Sequence, residues 1–249
     1  YDELFFGMDP ALMAELEIGD QYSCFLSQTG QVTCWDLSNS FEIFSPTASM
    51  LDVAIGTQHI CGLRSNGQPE CWGLESYNLF TEPVGSFSEI AVGGDNACVL
   101  DSTGFATCWG YDADGQVSDT PSDTFSNIAV GISHICGLKT DGSIACWGDS
   151  TNGKTSSPVA SNFVALSVGY DHSCAVDDLG EVSCWGALSE TSTARFEMLV
   201  SGYQYNCGLD ENDVVRCWGE NEYGQAQPRH YNYIDVGVGT DHSCARTEF

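Results

Sequence analysis

The sequence predicts an all-β fold in which one small unit of about 37 residues is repeated. Three observations lead there. Cys-Trp recurs six times, nearly always as Cys-Trp-Gly, and a second cysteine stands ten positions before each: Cys24/Cys34, Cys61/Cys71, Cys98/Cys108, Cys136/Cys146, Cys174/Cys184 and Cys207/Cys217. A thirteenth cysteine, Cys244, begins a seventh unit with no Cys-Trp after it. Between these words, short apolar runs alternate with glycine-marked turns, and 27 glycines suit many short strands.

The third unit, Phe87 to Gln116, shows each element in turn. Phe87, Ile90, Ala91 and Val92 form a short apolar strand that Gly93-Gly94 closes. Ala97 to Leu100 form a second strand, Asp101-Ser102-Thr103-Gly104 a turn, and Phe105 to Trp109 a third strand. A hairpin centred on residue 103 sets Cys98 opposite Cys108. Paired residues lie about 4.5–5.5 Å apart, within reach of a disulfide. The same arithmetic covers all six pairs. Equivalent turns carry Gly30, Gly67, Gly142 and Gly180, while the sixth unit uses Asn212-Asp213, which tolerate left-handed backbone. Gly56, Gly93, Gly131, Gly169, Gly202 and Gly239 recur after the first strand and are read as obligatory tight turns. Trp35, Trp72, Trp109, Trp147, Trp185 and Trp218, one per unit, are read as packing between neighbouring units rather than as a sugar-stacking row.

The cysteines point to disulfides or to metal. An H-x-C pattern at His59, His134, His172 and His242 offers a His/Cys/Cys site, but Tyr22, Asn96 and Tyr205 replace the histidine elsewhere while the cysteine pairs persist. Disulfides are therefore expected, with Cys244 a free thiol, no metal and no cofactor, in an extracellular or cell-surface compartment. No apolar run approaches the roughly 20 residues that span a membrane, so membrane insertion is not expected. Against 35 acidic residues stand 7 basic ones, a formal charge of −28. Such a surface repels phosphate backbones and speaks against nucleic acid as a partner.

The words Ala91-Val92-Gly93, Ala129-Val130-Gly131 and Ser167-Val168-Gly169, then H-x-C-G-L-x-x-D-G, C-W-G and Asn221-Glu222-Tyr223-Gly224-Gln225, resemble the regulator of chromosome condensation repeat. The resemblance covers nearly the whole chain. It implies a single seven-bladed β-propeller over residues 1–249 with four-stranded blades around a central channel, the units beginning near 14, 51, 87, 125, 163, 196 and 231. Radial repetition also protects strand edges, so physics points the same way. Phe5-Phe6-Gly7 stands where a Cys-Trp-Gly would belong, and the segment 1–8 is expected to complete the seventh blade. A chain cut from a longer array is the alternative.

Such a ring has two faces. One collects the inner turns, with Asp20, Asp95, Tyr170, Asp171, Tyr203, Gln204 and Asp241, and the outer loops, with Tyr111, Asp112, Asp114, Asp149, Glu220 and Glu222. The stretches Leu74 to Phe80, Tyr111 to Gln116 and Ala187 to Thr193 differ most between units, and all belong to this face. Acidic groups interleaved with tyrosine suit protein recognition, and polar loops of no special role are the plain alternative. Asp112-Ala113-Asp114-Gly115 opens like a calcium loop but lacks the rest of one, so it is read as a turn. Catalytic words are missing: there is no G-x-S-x-G and no H-E-x-x-H. The repeat histidines are expected to make hydrogen bonds inside their own blades, and His230 stands outside the repeat frame beside Arg229, Tyr231 and Tyr233.

The reading is a non-enzymatic extracellular module that presents an acidic, tyrosine-containing face to a protein or glycan partner. Self-assembly into a surface filament or coat, with Cys244 available for cross-linking, is one form of it. The alternatives are an inhibitor of an extracellular enzyme, or a hydrolase or lyase with carboxylates at the channel mouth. Perturbed neighbouring carboxylates at the axis would favour the last.

Overall fold

The computed structural model describes residues 13–19, 21–36, 46–73, 81–189, 192–222, 224–226, 233–240 and 242–247. Seven antiparallel sheets follow one another along the chain. The first contains β1 (Met13–Ile18), β2 (Tyr22–Ser27) and β3 (Val32–Asp36). The second contains β4 (Met50–Ile55), β5 (His59–Arg64) and β6 (Pro69–Gly73), and the third β7 (Phe87–Gly93), β8 (Asn96–Asp101) and β9 (Ala106–Gly110). The fourth contains β10 (Phe125–Val130), β11 (His134–Lys139) and β12 (Ile144–Gly148), and the fifth β13 (Phe163–Val168), β14 (His172–Asp177) and β15 (Val182–Gly186). The sixth contains β16 (Phe196–Ser201), β17 (Tyr205–Asp210) and β18 (Val215–Gly219), and the seventh β19 (Tyr233–Val238) and β20 (Ser243–Thr247). These are the blades of a seven-bladed propeller. The expected closing strand, residues 1–8, lies outside the described residues.

Closure is visible at the inner strands. The first strands of all seven blades line one central channel. At the join between last and first blades, the space beside Gly237 is filled by the Ile18 side chain, and Gly239 abuts the carbonyl of Gly19. Among the described residues each blade shows three strands, two in the seventh, where the resemblance implied four. Much of the outer stretches lies outside the described residues, and the one in the third blade satisfies its polar groups locally. In the third blade the Asp112 carboxylate takes the N–H groups of Val117 and Ser118, and the isolated bridge from Phe105 to Thr124 ties the hairpin to the start of the fourth blade.

Each hairpin of the first six blades is stapled. Disulfides join Cys24 to Cys34, Cys61 to Cys71, Cys98 to Cys108, Cys136 to Cys146, Cys174 to Cys184 and Cys207 to Cys217. In every blade the two cysteines are direct partners in the ladder between second and third strands. Their Cα atoms stand 4.0–4.1 Å apart, closer than the pairing arithmetic suggested. Register supplies the reason. Counting back from the bond of Asp101 N–H to the Phe105 carbonyl, Cys98 and Cys108 fall on a pair without mutual hydrogen bonds, the nearer kind in an antiparallel ladder. The two ends of a staple are not equally covered. The second-strand cysteines are fully buried, as is Cys34, whereas Cys71, Cys146, Cys184 and Cys217 are half-buried and pack on the core from the third strand. By chain-entropy estimates each staple adds about 2–3 kcal/mol.

In the third, fifth and sixth blades the turn between the stapled strands is built by its first residue, and in the second and fourth by Asn66 and Asp141 two positions further on. The Asp101 carboxylate accepts the N–H groups of Thr103 and Phe105, and Gly104 follows at φ 87°. In the sixth blade Asp210 does the same for Asn212 and Val214, and Asp213 takes the left-handed position at φ 60°.

The core sits between blades. Trp109 packs with Cys61 and Leu63 of the preceding blade, and Trp147 with Cys98, Leu100 and Cys108. The indoles are also tied backward by hydrogen bonds, Trp147 Nε1 to the Gln116 carbonyl at 2.9 Å and Trp185 Nε1 to the Lys154 carbonyl at 2.8 Å. The glycines after the first strand have a different purpose from the one their recurrence suggested. Their φ values are not left-handed; a Cβ on Gly131, Gly169 or Gly202 would stand 2.5–2.7 Å from the carbonyl oxygen of the equivalent glycine in the next blade. They are small so that blades can approach at the axis.

Candidate binding face and channel mouth

The first-to-second strand turns and the starts of the outer loops emerge together on one face, held by backbone bonds. Tyr111 N–H donates to the Asp95 carbonyl, Ala187 N–H to that of Asp171 and Glu220 N–H to that of Gln204, each within 2.9 Å. This brings the expected site residues into two groups. Asp95 and Tyr111 join in the third blade, with Asp112 and Asp114 exposed on the same loop. Asp112 accepts three donors from that loop, Val117 N–H, Ser118 N–H and Ser118 Oγ, which makes it a turn former. The second group spans blades four to six. Tyr170 and Tyr203, from adjacent turns, pack with ring centroids 4.5 Å apart at 52°. Beside them Lys154, almost fully buried, bridges Asp149 at 2.7 Å and Asp171 at 2.8 Å. Burial works against this cation, but the two carboxylates outweigh it and hold its pKa up; Asp149, despite some burial, is drawn down to about 2. Asp20, Asp241 and His230 lie outside the described residues, as do the stretch Leu74 to Phe80 and part of Ala187 to Thr193.

Two cavities adjoin the tyrosines. A notch of about 240 Å³ between blades five and six is lined by Asp171, Ala187, Leu188, Tyr203, Gln204 and Glu220. The channel, about 410 Å³, has both tyrosines at its mouth, Met198 and Val200 on one wall, and Glu15, Glu17 and Asp235 on another.

The acidic wall is the feature that sequence reasoning missed. Every first strand contains a β-bulge, and the residue just after it is Glu15, Asp52, Glu89, Asn127, Ala165, Met198 or Asp235 around the ring. Four of these are carboxylates on consecutive blades, and each reaches the inner strand of the next. Asp235 accepts from Leu16 N–H, Glu15 from Val53 N–H, Asp52 from Ile90 N–H at 3.3 Å, and Glu89 from Ile128 N–H at 2.8 Å. An inner strand has no sheet partner on its axial edge, so its N–H groups need acceptors. Burial, then the charges of Asp52 and Asp235, push Glu15 up to about 7. Burial likewise pushes Glu89 up to about 7 and raises Asp52, Asp235 and Glu17. A signal existed: all seven residues stand nine positions before the first cysteine of their unit.

Two of the repeat histidines also link blades, where bonds within a blade were expected. His134 Nε2 meets Ser173 Oγ at 2.8 Å, and His172 Nε2 meets Asn206 Oδ1 at 2.9 Å, each in the following blade. Tyr205, in the histidine position, has its hydroxyl 2.5 Å from the His242 carbonyl and 3.1 Å from that of Gly239, both in the following blade. Burial keeps His59 down at about 4 and His134 at about 3, so both are neutral at pH 7. Cys244 is free among the described residues, and burial pushes its thiol up. A thiol so disposed is a poor nucleophile, which weighs against cross-linking through it.

Comparison with known proteins agrees with this architecture. The family model described as "Regulator of chromosome condensation (RCC1) repeat" matches residues 125–154, 163–187 and 199–225. No curated protein sequence matches. Among solved structures, the ectodomain of the Physcomitrella patens receptor kinase CR4 is 24% identical with a TM-score of 0.77, over 93% of this chain and 69% of that one. The CRINKLY WD40 ectodomain of the Arabidopsis thaliana receptor kinase ACR4 is 23% identical with a TM-score of 0.75, over 92% and 89%. Yeast RCC1 (Prp20), solved with Kap60 bound, is 15% identical with a TM-score of 0.78, over 93% and 79%. The chain is a seven-bladed β-propeller whose fourth, fifth and sixth blades match the regulator of chromosome condensation repeat, with a disulfide joining the second and third strands of six blades.

Proposed function

We propose that this chain is a non-enzymatic extracellular binding module that presents its loop face to a protein or glycan partner. One observation carries the reading: the two faces are built differently. The hairpin face repeats short self-satisfied turns, bonded by the first residue at Asp101, Asp177 and Asp210 and by a residue two places later at Asn66 and Asp141. The loop face changes from blade to blade and gathers Tyr170, Tyr203, Asp171 and Glu220 around two cavities. A scaffold that varies on one side is what recognition requires. Six disulfides support an oxidising compartment, as does likeness to two receptor ectodomains. That yeast RCC1 (Prp20) is solved bound to Kap60 supports a protein as the partner class. No helix among the described residues is long and apolar enough to cross a membrane.

The channel carboxylates are the observation a hydrolase or lyase reading would need. Of the three that line the channel, Glu15 and Asp235 are engaged by backbone N–H groups of the next blade as joints of the ring, as are Asp52 and Glu89. Both readings meet in one experiment on a panel of immobilised extracellular proteins and neutral oligosaccharides. Binding should fall at least tenfold in Tyr170→Ser/Tyr203→Ser and persist in Glu181→Gln/Glu211→Gln on the hairpin face. Binding that follows the hairpin variant sinks the loop-face reading. Cleavage of a panel member that Glu17→Gln abolishes would make the protein an enzyme.

A further inference from the structure

We infer that the loop face takes a basic side chain, lysine or arginine, of a protein partner in the notch between blades five and six. This rests on the binding-module reading and adds a place and a chemistry to it. The notch, about 240 Å³, is small for a free ligand but suits one long side chain. Its lining is amphipathic in the way a basic side chain is. Ala187 and Leu188 supply an apolar wall for a methylene stem, and Asp171 and Glu220 supply carboxylates for the cationic head. Tyr203 lines both the notch and the channel mouth, and Tyr170 packs against it and braces the ring. A braced tyrosine beside carboxylates favours a guanidinium or ammonium group through its π face.

The charge at the notch is fixed before any partner arrives. Lys154 holds Asp171 in place at 2.8 Å, yet shares itself with Asp149, so the trio keeps one net negative charge. Glu220 adds another. The arrangement occurs at this interface alone among the described residues, because the turn position of Tyr170 and Tyr203 is Thr57, Gly94, Ile132 and Thr240 in the other described blades. The whole-molecule charge of −28 attracts a basic segment from a distance and gives no preference for a neutral glycan.

The test uses two fluorescein-labelled pentapeptides, Gly-Gly-Arg-Gly-Gly and its citrulline counterpart, read by anisotropy in about 0.15 M salt. The arginine peptide should bind at least tenfold more tightly than the citrulline one. Tyr203→Ala and Glu220→Gln should each weaken it about tenfold with an unchanged Tm, while Glu181→Gln/Glu211→Gln leaves it intact. Equal binding of the two peptides, or equal loss in the hairpin-face variant, overturns the inference by showing diffuse charge or none. Tyr203-dependent binding of a neutral oligosaccharide without peptide binding overturns it too, and leaves the loop-face reading standing. Loop-face variants that change no binding at all remove both.

Discussion

Glu89 shows how much one side chain does in this ring. Its Oε1 accepts from Ile128 N–H at 2.8 Å and from Asn127 Nδ2 at 2.9 Å, joining the third blade to the fourth. Burial raises its pKa from 4.5 to about 7, as it does for Glu15. A carboxyl whose folded pKa is raised binds its proton more tightly when folded, so its contribution is full below the unfolded value and is lost as pH rises through the folded one. The buried histidines act in the opposite sense, but only below their unfolded value of 6.5. Between pH 8 and 6.5 the carboxyls therefore govern, and Tm should rise by a few degrees as pH falls. Glu89→Gln keeps the accepting oxygen and loses the titration. Calorimetry across that window should show a higher Tm than wild type at pH 8 and a shallower slope. An unchanged slope would mean that Glu89 is ionised throughout. The position was hard to see in the sequence because Glu, Asp, Asn, Ala and Met all occupy it. The chemistry belongs to four blades and has no residue-type period.

At the scale of the element, the hairpin was legible and the close approach of the blades was not. Cysteines ten apart with a turn between them determine register arithmetically, and Cys98 indeed faces Cys108, as Cys24 faces Cys34 and Cys207 faces Cys217. Recurring tryptophans read as packing between units, and Trp109 and Trp147 pack that way. The recurring glycines misled because recurrence does not say whether backbone shape or space is required. Gly131 is a case of space: an added Cβ would lie 2.6 Å from the Gly169 carbonyl and 2.7 Å from the Val168 side chain. Gly131→Ala should cost about 1–3 kcal/mol, as overpacking does, and lower Tm by roughly 3–10 °C. A stability unchanged in urea titration would show that the blades can part without cost.

The whole molecule is a ring with two kinds of joint. Carboxylates connect blades seven to one, one to two, two to three and three to four. Neutral ties connect the remainder, through His134, His172 and Tyr205. Raising pH from 6.5 to 8 should therefore loosen one arc and spare the other. Hydrogen exchange, corrected for intrinsic rate, should speed up in β1, β4 and β7 more than in β13 and β16. A uniform change would place the pH response in the global charge. Ring, blade count and hairpins were readable because they repeat. The Tyr170–Tyr203 pairing was not, since two turn residues far apart in sequence meet only through the curvature that brings their blades together.

The direction of the carboxylate joints carries a consequence for how such a chain can change in length. Each joint has an acceptor on one blade and a donor one residue further along on the next, as Asp52 has Ile90 and Glu89 has Ile128. A blade is thus a modular part with complementary ends, oriented the same way as its neighbours. Duplicating one of these units in tandem would bring its own matching junction with it, and the limit on blade number would come from curvature at the crowded glycine axis rather than from bonding.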